Sequence, residues 1–145
     1  MINILLISHE GYASGSKKAV ELIIGKQANL YCHELNGEQG IEIFKSKLNQ
    51  KIINLTHEGT PLIILSDLKN GTPYNCALTI IATNKLWHQI HLVTGMNLNL
   101  ILETILADED AIIEKYQQEL LTTAKEGIFL MSKKEWDKQS IAAEE

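Results

Sequence analysis

Short apolar runs alternate along the chain with stripes of apolar residues at helical spacing. Runs typical of buried strands cover residues 3–8, 30–35, 61–65 and 90–94. A last apolar run at 128–131 follows two helical stretches, the second of which begins after 108–110 and carries Ile113 and Tyr116. This order predicts an α/β fold, doubly wound, with a mostly parallel sheet, helices on both faces and a final strand that enters at an edge. The mixed polar character of 30–35 places that strand nearer an edge.

Two polar loops follow the most apolar strands. The first strand runs into His9, and the strand at 61–65 is followed closely by Asp67. Thr72 and Pro73 then suit a helix start, with Thr72 as its cap and Pro73 at its first helical position. If the two strands are neighbours in the sheet, their carboxyl ends bring His9 and Asp67 side by side.

This pair has a chemical and a structural interpretation. A carboxylate that accepts a hydrogen bond from one imidazole nitrogen fixes the tautomer and leaves the other nitrogen as the better nucleophile. Helices starting at Thr72 or after Tyr12 would offer free backbone N–H groups, which favour an anion such as phosphate. The pair is therefore suited to a covalent phosphohistidine. The alternative is a turn histidine without chemistry and an aspartate that only caps a helix.

Other site chemistries find little support in the sequence. The remaining histidines lack metal-ligand spacing, and no metal site is predicted. They are His33, His57, His88 and His91. The sequence contains no GxGxxG or P-loop motif, which argues against nucleotide binding. No serine lies in a nucleophile elbow, which argues against hydrolase chemistry.

Composition narrows the class of protein and its partners. The 145 residues carry a net charge of −5, with 45% apolar and 21% charged residues, which is ordinary for one globular domain. The acidic balance argues against a nucleic-acid partner. Residues 1–4 lack the basic region of a signal peptide, and no apolar run has membrane-spanning length. Cys32 and Cys76 form no CxxC pair, and we expect buried thiols in the reducing cytoplasm.

Four segments in register resemble the IIA component of the mannose-family sugar phosphotransferase system. They are residues 5–9, 11–15, 65–75 and 93–98. The resemblance covers residues 1–131, which it identifies as one IIA-type phosphotransfer domain, followed by a charged, flexible tail at 132–145. The family fold is a doubly wound sheet whose last, antiparallel strand is exchanged between the subunits of a homodimer. Here that strand would be residues 128–131.

The resemblance also implies an activity. His9 would accept phosphate from the phosphohistidine of the carrier HPr and pass it to a histidine of a IIB partner. Asp67 would orient the His9 ring, and Thr72 would hydrogen-bond the phosphate. Further phosphate-binding or partner-contacting residues would be Gly11, Tyr12, Asn70 and Gly71. No metal or cofactor is implied, and the membrane is reached only through the IIC and IID components of a sugar uptake system.

One departure from the family pattern lies in the site, and one alternative function uses the same histidine. The family commonly has glycine directly after its active histidine, whereas this chain has Glu10. The added negative charge would repel phosphate or alter HPr docking unless the side chain points to solvent. The alternative function is a IIA-like phosphorelay or regulatory domain, for dihydroxyacetone-kinase relay or transcriptional control, in which phosphorylated His9 changes a binding partner.

Overall fold

The described part of the chain contains a parallel sheet, six α-helices and a short 3-10 helix, His57–Gly59. A computed structural model describes residues 2–110, 112 and 118–144. Its strands are β1 Asn3–His9, β2 Leu30–Leu35, β3 Leu62–Ser66 and β4 Ile90–Thr94. Its helices are α1 Tyr12–Ile24, α2 Gly40–Leu55, α3 Thr72–Thr83, α4 Leu98–Leu106, α5 Glu119–Glu126 and α6 Lys133–Glu144. All strand pairs are parallel, in the order β2-β1-β3-β4. The predicted α/β class and the edge position of β2 are confirmed.

The sheet lies between two helical layers because successive side chains of a strand point to opposite faces. Along β1, Leu6 packs with α1, α4 and α5, whereas Leu5 and Ile7 pack with α2 and α3. These three side chains are 0% exposed. Burial on both faces explains why the central strands are almost continuously aliphatic.

The strand order creates a switch point between β1 and β3. The chain leaves β1 through α1 to β2 on one side, and then crosses through α2 to β3 on the other side. Ligands in open parallel sheets bind outside the carboxyl ends of the strands at such a point. The two polar loops of the sequence follow these two strands.

The C-terminal part of the chain departs from the expectation. The antiparallel edge strand predicted at 128–131 is not formed within the single chain, whose described residues pair into four strands only. The apolar run is typical of a strand, but a strand also requires an edge to pair with, and here Ile128 and Leu130 are 76% and 80% exposed. The predicted helix residues Ile113 and Tyr116 lie outside the described residues. Residues 132–145, expected to be a flexible charged tail, include α6.

None of the helices in the described ranges is both long and apolar enough to cross a bilayer.

His33 makes the contact between β2 and α2 sensitive to pH. Its ring stacks on Phe44 with centroids 5.0 Å apart, and its Nε2 lies 3.3 Å from the Phe44 carbonyl oxygen. Burial lowers the pKa of His33 below its ordinary value. Between the lowered folded pKa and the unfolded value of about 6.5, the unfolded chain binds more protons. The contribution of neutral His33 to the free energy of unfolding is therefore fully present above the unfolded pKa. It declines as the pH falls towards the folded pKa.

We expect the His33→Gln variant to lose less unfolding free energy than the wild type between about pH 7.5 and pH 5.5, because glutamine does not titrate. Urea unfolding at several pH values measures this difference. Equal losses in the two proteins would contradict the assignment.

Candidate active site

His9 and Asp67 meet at the switch point. His9 is the last residue of β1, and Asp67 follows β3 directly. Parallel pairing aligns Ile7 with Ser66, so the next residues of both strands emerge at the same edge of the sheet. The Asp67 amide donates to the Ile7 carbonyl (3.3 Å) and extends this pairing beyond the strand.

One carboxylate oxygen holds His9 in two places. Asp67 Oδ2 lies 2.8 Å from His9 Nδ1 and accepts the backbone N–H of His9 at 3.0 Å. With Nδ1–H donating to the carboxylate, Nε2 keeps its lone pair. The His9 side chain is 48% exposed and that of Asp67 only 12%, so the orienting group is shielded while the ring stays accessible. The juxtaposition expected from neighbouring strands is present, and the chemical roles of both residues remain predictions.

The second oxygen of the carboxylate has no competing partner. Asp67 Oδ1 is buried and accepts no hydrogen bond within the described part of the chain, and the same holds for the buried Ser66 hydroxyl. The hydrogen bonds of the Asp67 side chain therefore go to His9, which restrains the imidazole ring relative to its own backbone.

The N-terminus of α3 presents donors beside His9. The helix begins at Thr72, but Gly71 occupies the N-cap position and makes no side-chain cap. The prediction that Thr72 caps the helix is therefore wrong by one residue, because the loop reaches helical geometry one position earlier. Pro73 accordingly lies at the second helical position, one residue later than predicted, and still within the first turn. The amides of Thr72 and Tyr74, and the Thr72 hydroxyl, find no protein acceptor in the described ranges.

The loop before α3 packs directly on the imidazole. A Cβ added at Gly71 would lie 3.1 Å from His9 Cε1 and 3.2 Å from the Leu68 carbonyl oxygen. Gly71 has φ −75°, an ordinary conformation, so close approach rather than backbone strain calls for glycine here. Asn70 precedes it with φ 67°, and its carbonyl accepts from the Asn75 side chain at 3.1 Å.

We expect the Gly71→Ala variant to be phosphorylated on the order of tenfold more slowly than the wild type, because the methyl group displaces the His9 ring by a few tenths of an ångström. Quenched-flow labelling of the protein measures this rate. The matched control is Gly15→Ala, where an added Cβ meets nothing within 4 Å. Equal rates in wild type and Gly71→Ala would contradict the packing argument.

The N-terminus of α1 uses its donors differently. Gly11 is the N-cap with φ 85°, a left-handed conformation that favours glycine. The Ala13 amide donates to Ser8 Oγ at 2.8 Å, and both the amide and the hydroxyl of Ser14 donate to Glu34 Oε2 at 3.2 and 3.1 Å. The expectation that this helix start offers free amides is wrong at these two positions. Glu34 could not be expected at this helix start from the sequence, because only the parallel register places the end of β2 beside α1.

Tyr12 connects the first loop to the loop after β4. Its hydroxyl donates to the Met96 carbonyl at 2.6 Å, and the Met96 amide donates to the Ser66 carbonyl at 3.0 Å. Tyr12 as a whole is nevertheless 45% exposed. Tyr12 therefore braces the loops around His9, and its contact with a partner stays a prediction.

The remaining residues singled out in the sequence are Glu10, the two cysteines and the possible metal ligands. Glu10 is exposed and makes no hydrogen bond or ion pair within the described residues. Burial raises the pKa of the Cys32 and Cys76 thiols, which favours the protonated and unreactive form. Across the described ranges, no three His, Cys, Asp or Glu side chains are grouped as metal ligands would be.

These features define a doubly wound α/β domain with a held histidine at its switch point. Residues 3–121 match the family described as EIIA-man, the PTS system fructose IIA component, and the chain belongs to this family of phosphotransferase-system proteins. The resemblance to mannose-family IIA components is thereby confirmed.

Individual relatives agree with this assignment. The chain is 26% identical over 135 residues to the PTS system sorbose-specific EIIA component of Lacticaseibacillus casei, covering 92% of this chain and 93% of that protein. It is 27% identical over 105 residues to the fructose-specific EIIA component of Bacillus subtilis (strain 168), covering 72% and 69%. Among solved structures, the PTS IIA protein associated with the fucose utilization operon from Streptococcus pneumoniae superimposes with a TM-score of 0.78 at 25% identity, covering 97% of this chain and 96% of that one.

Proposed function

We propose that this protein carries phosphate on His9, accepting it from phosphorylated HPr and passing it to a histidine of a IIB component in a mannose-family sugar uptake system. The observation that carries the proposal is the 2.8 Å contact between His9 Nδ1 and Asp67 Oδ2 on a half-exposed ring. This contact directs the free lone pair of Nε2 towards the surface, where a second protein can reach it.

The transfer requires only bond exchange at phosphorus. The Nε2 lone pair of His9 attacks the phosphorus of the donor phosphohistidine, the new P–N bond forms, and the P–N bond of the donor breaks. The same steps in the opposite sense deliver the phosphoryl group to IIB. Negative charge on the phosphoryl oxygens is stabilised by donors fixed in advance, and Thr72 and Tyr74 supply such donors at the start of α3.

The compartment in which HPr and IIB would exchange phosphate with the protein is part of the proposal, and the transported sugar is not. We place the exchange in the cytoplasm, where the free thiols of Cys32 and Cys76 would stay reduced. The membrane would be involved only through IIC and IID. The curated relatives name sorbose and fructose, and the described site residues are suited to phosphate rather than to a sugar.

The proposal is tested by incubating the purified protein with phosphoenolpyruvate, enzyme I and HPr. We expect one acid-labile, base-stable phosphate, which mass spectrometry maps to His9. Addition of a cognate IIB should then remove it. Phosphate retained in the presence of IIB would favour the regulatory alternative, and the absence of phosphate on His9 would reject covalent transfer altogether.

We also propose that the protein is a homodimer in which residues 128–131 form the fifth strand at the edge of a second chain. Four consecutive apolar side chains are at least half exposed in the single chain: Ile128, Phe129, Leu130 and Met131. Burial of each such large side chain is worth about 1.5–3 kcal/mol. Strand β4 ends the sheet and leaves an edge for such a segment.

We expect Leu130→Lys to shift the protein from dimer to monomer in sedimentation equilibrium, because lysine disfavours burial of this strand. The control is Leu22→Lys on α1, where the leucine is 88% exposed and lies outside the segment. A dimer that persists in Leu130→Lys at the wild-type affinity would contradict strand exchange.

A further inference from the structure

The two helices that begin beside the site differ at equivalent positions. The third helical residue is Ser14 in α1 and Tyr74 in α3. The Ser14 amide donates to Glu34 Oε2, whereas the Tyr74 amide has no acceptor in the described part of the chain. Both amides belong to the first turn, where backbone N–H groups would otherwise bind an anion.

Glu34 reaches α1 from a separate strand. It lies in β2 opposite Ser8, and its carboxylate spans to Ser14 with two hydrogen bonds of 3.2 and 3.1 Å. A carboxylate at a helix N-terminus offsets the partial positive charge of the helix dipole. A phosphoryl group approaching α1 would therefore meet a negative charge and an occupied amide.

The remaining donors of the α1 start are few. The Ala13 amide donates to Ser8 Oγ, so the amides of the N-cap Gly11 and of Tyr12 are the donors of this helix start without an acceptor among the described residues. The start of α3 also keeps two amides, those of Thr72 and Tyr74, but it adds the hydroxyl of Thr72, and no carboxylate is hydrogen-bonded to these donors in the described part of the chain. Gly71 beside them approaches the His9 ring. The two helix starts differ because Glu34 of β2 binds Ser14, so the difference does not follow from the sequence of either helix alone.

We propose that Glu34 is a positioning residue that closes the start of α1 to the phosphoryl group, so that phosphate on His9 is bound by the start of α3. The inference rests on the proposed covalent function of His9. Its consequence is one defined orientation of the phosphoryl group, with its oxygens turned towards Thr72 and Tyr74.

The experiment phosphorylates the isolated protein chemically and follows its amides by NMR. With phosphoramidate as donor, the Nε2 lone pair attacks phosphorus, the P–N bond of the reagent breaks and ammonia leaves. In the wild type we expect large amide shifts at Thr72 and Tyr74 and a small one at Ser14. In Glu34→Ala the Ser14 amide should shift as well, and phosphohistidine hydrolysis should slow by about two- to fivefold.

Two further variants serve as controls for the role of the Glu34 carboxylate at the start of α1. In Glu34→Gln the amide oxygen still accepts from Ser14, so the Ser14 shift should remain small. Glu38→Gln removes an exposed carboxylate of the same charge elsewhere and should match the wild type throughout. A merely structural role would lower the stability of Glu34→Ala without moving the phosphorylation-induced shift of Ser14.

The outcomes are distinguishable. A Ser14 shift as large as that of Thr72 in the wild type overturns the inference while leaving the phosphohistidine in place, and this comparison requires no variant to fold. An unchanged Ser14 shift in folded Glu34→Ala overturns it too. If no phosphohistidine forms on His9, the proposed function and the inference both fail.

Discussion

Replacing His9 by alanine is expected to abolish the acid-labile phosphate completely when the protein is incubated with phosphoenolpyruvate, enzyme I and HPr. The expected loss is total because, in the proposed transfer, the imidazole is the group that forms the P–N bond. The ring is 48% exposed, so its removal should change the unfolding free energy by about 1 kcal/mol or less. Radiolabel on the protein, together with a urea unfolding curve, measures both effects.

The control for this experiment is His88→Ala, which removes an exposed imidazole outside the site. It should take up phosphate at the wild-type rate. Label that persists in folded His9→Ala would show that another residue carries the phosphate, and the assignment of the site would then be wrong.

The second large effect is expected for Asp67→Asn, which should slow phosphorylation of His9 on the order of 100- to 1,000-fold. The amide group removes the negative charge and no longer requires Nδ1 to carry the proton, so the tautomer with a free Nε2 lone pair loses its preference. Asparagine still offers an oxygen to the backbone N–H of His9, which in the wild type lies 3.0 Å from Asp67 Oδ2. The fold should therefore be preserved.

Two measurements test this expectation. Rapid-quench phosphorylation gives the rate, and nitrogen NMR of the His9 ring reports which nitrogen carries the proton. The control Asp137→Asn removes an exposed carboxylate from α6, where it pairs with Lys133, and should leave both readouts unchanged. A wild-type rate in Asp67→Asn would mean that the carboxylate does not orient the nucleophile.

The strands that carry His9 and Asp67 could be predicted from the sequence. Runs of aliphatic residues predicted the central strands, because a strand that is buried on both faces is apolar at nearly every position. The order of the strands is not written in any one segment, so the contact between His9 and Asp67 could be expected only if β1 and β3 were neighbours. The structure makes them neighbours and joins the two side chains at 2.8 Å.

Features that depend on register, or on a second chain, could not be derived in this way. Glu34 reaches Ser14 only because β2 pairs with β1 in one particular alignment. In α2 the apolar residues Ile41, Phe44 and Leu48 follow helical spacing, yet Ile41 is 52% exposed whereas the other two are buried. Residues 128–131 have the composition of a strand, but they pair with none of the strands among the described residues.

The double attachment of His9 to Asp67 Oδ2 has a kinetic consequence. A ring tethered through Nδ1, beside its own tethered backbone amide, cannot swing between a donor on one side and an acceptor on the other. In the proposed transfer, phosphate would arrive and depart along the same line from Nε2. The two protein partners would then compete for one docking position, and transfer would follow ping-pong kinetics, with parallel lines in a double-reciprocal plot and no ternary complex.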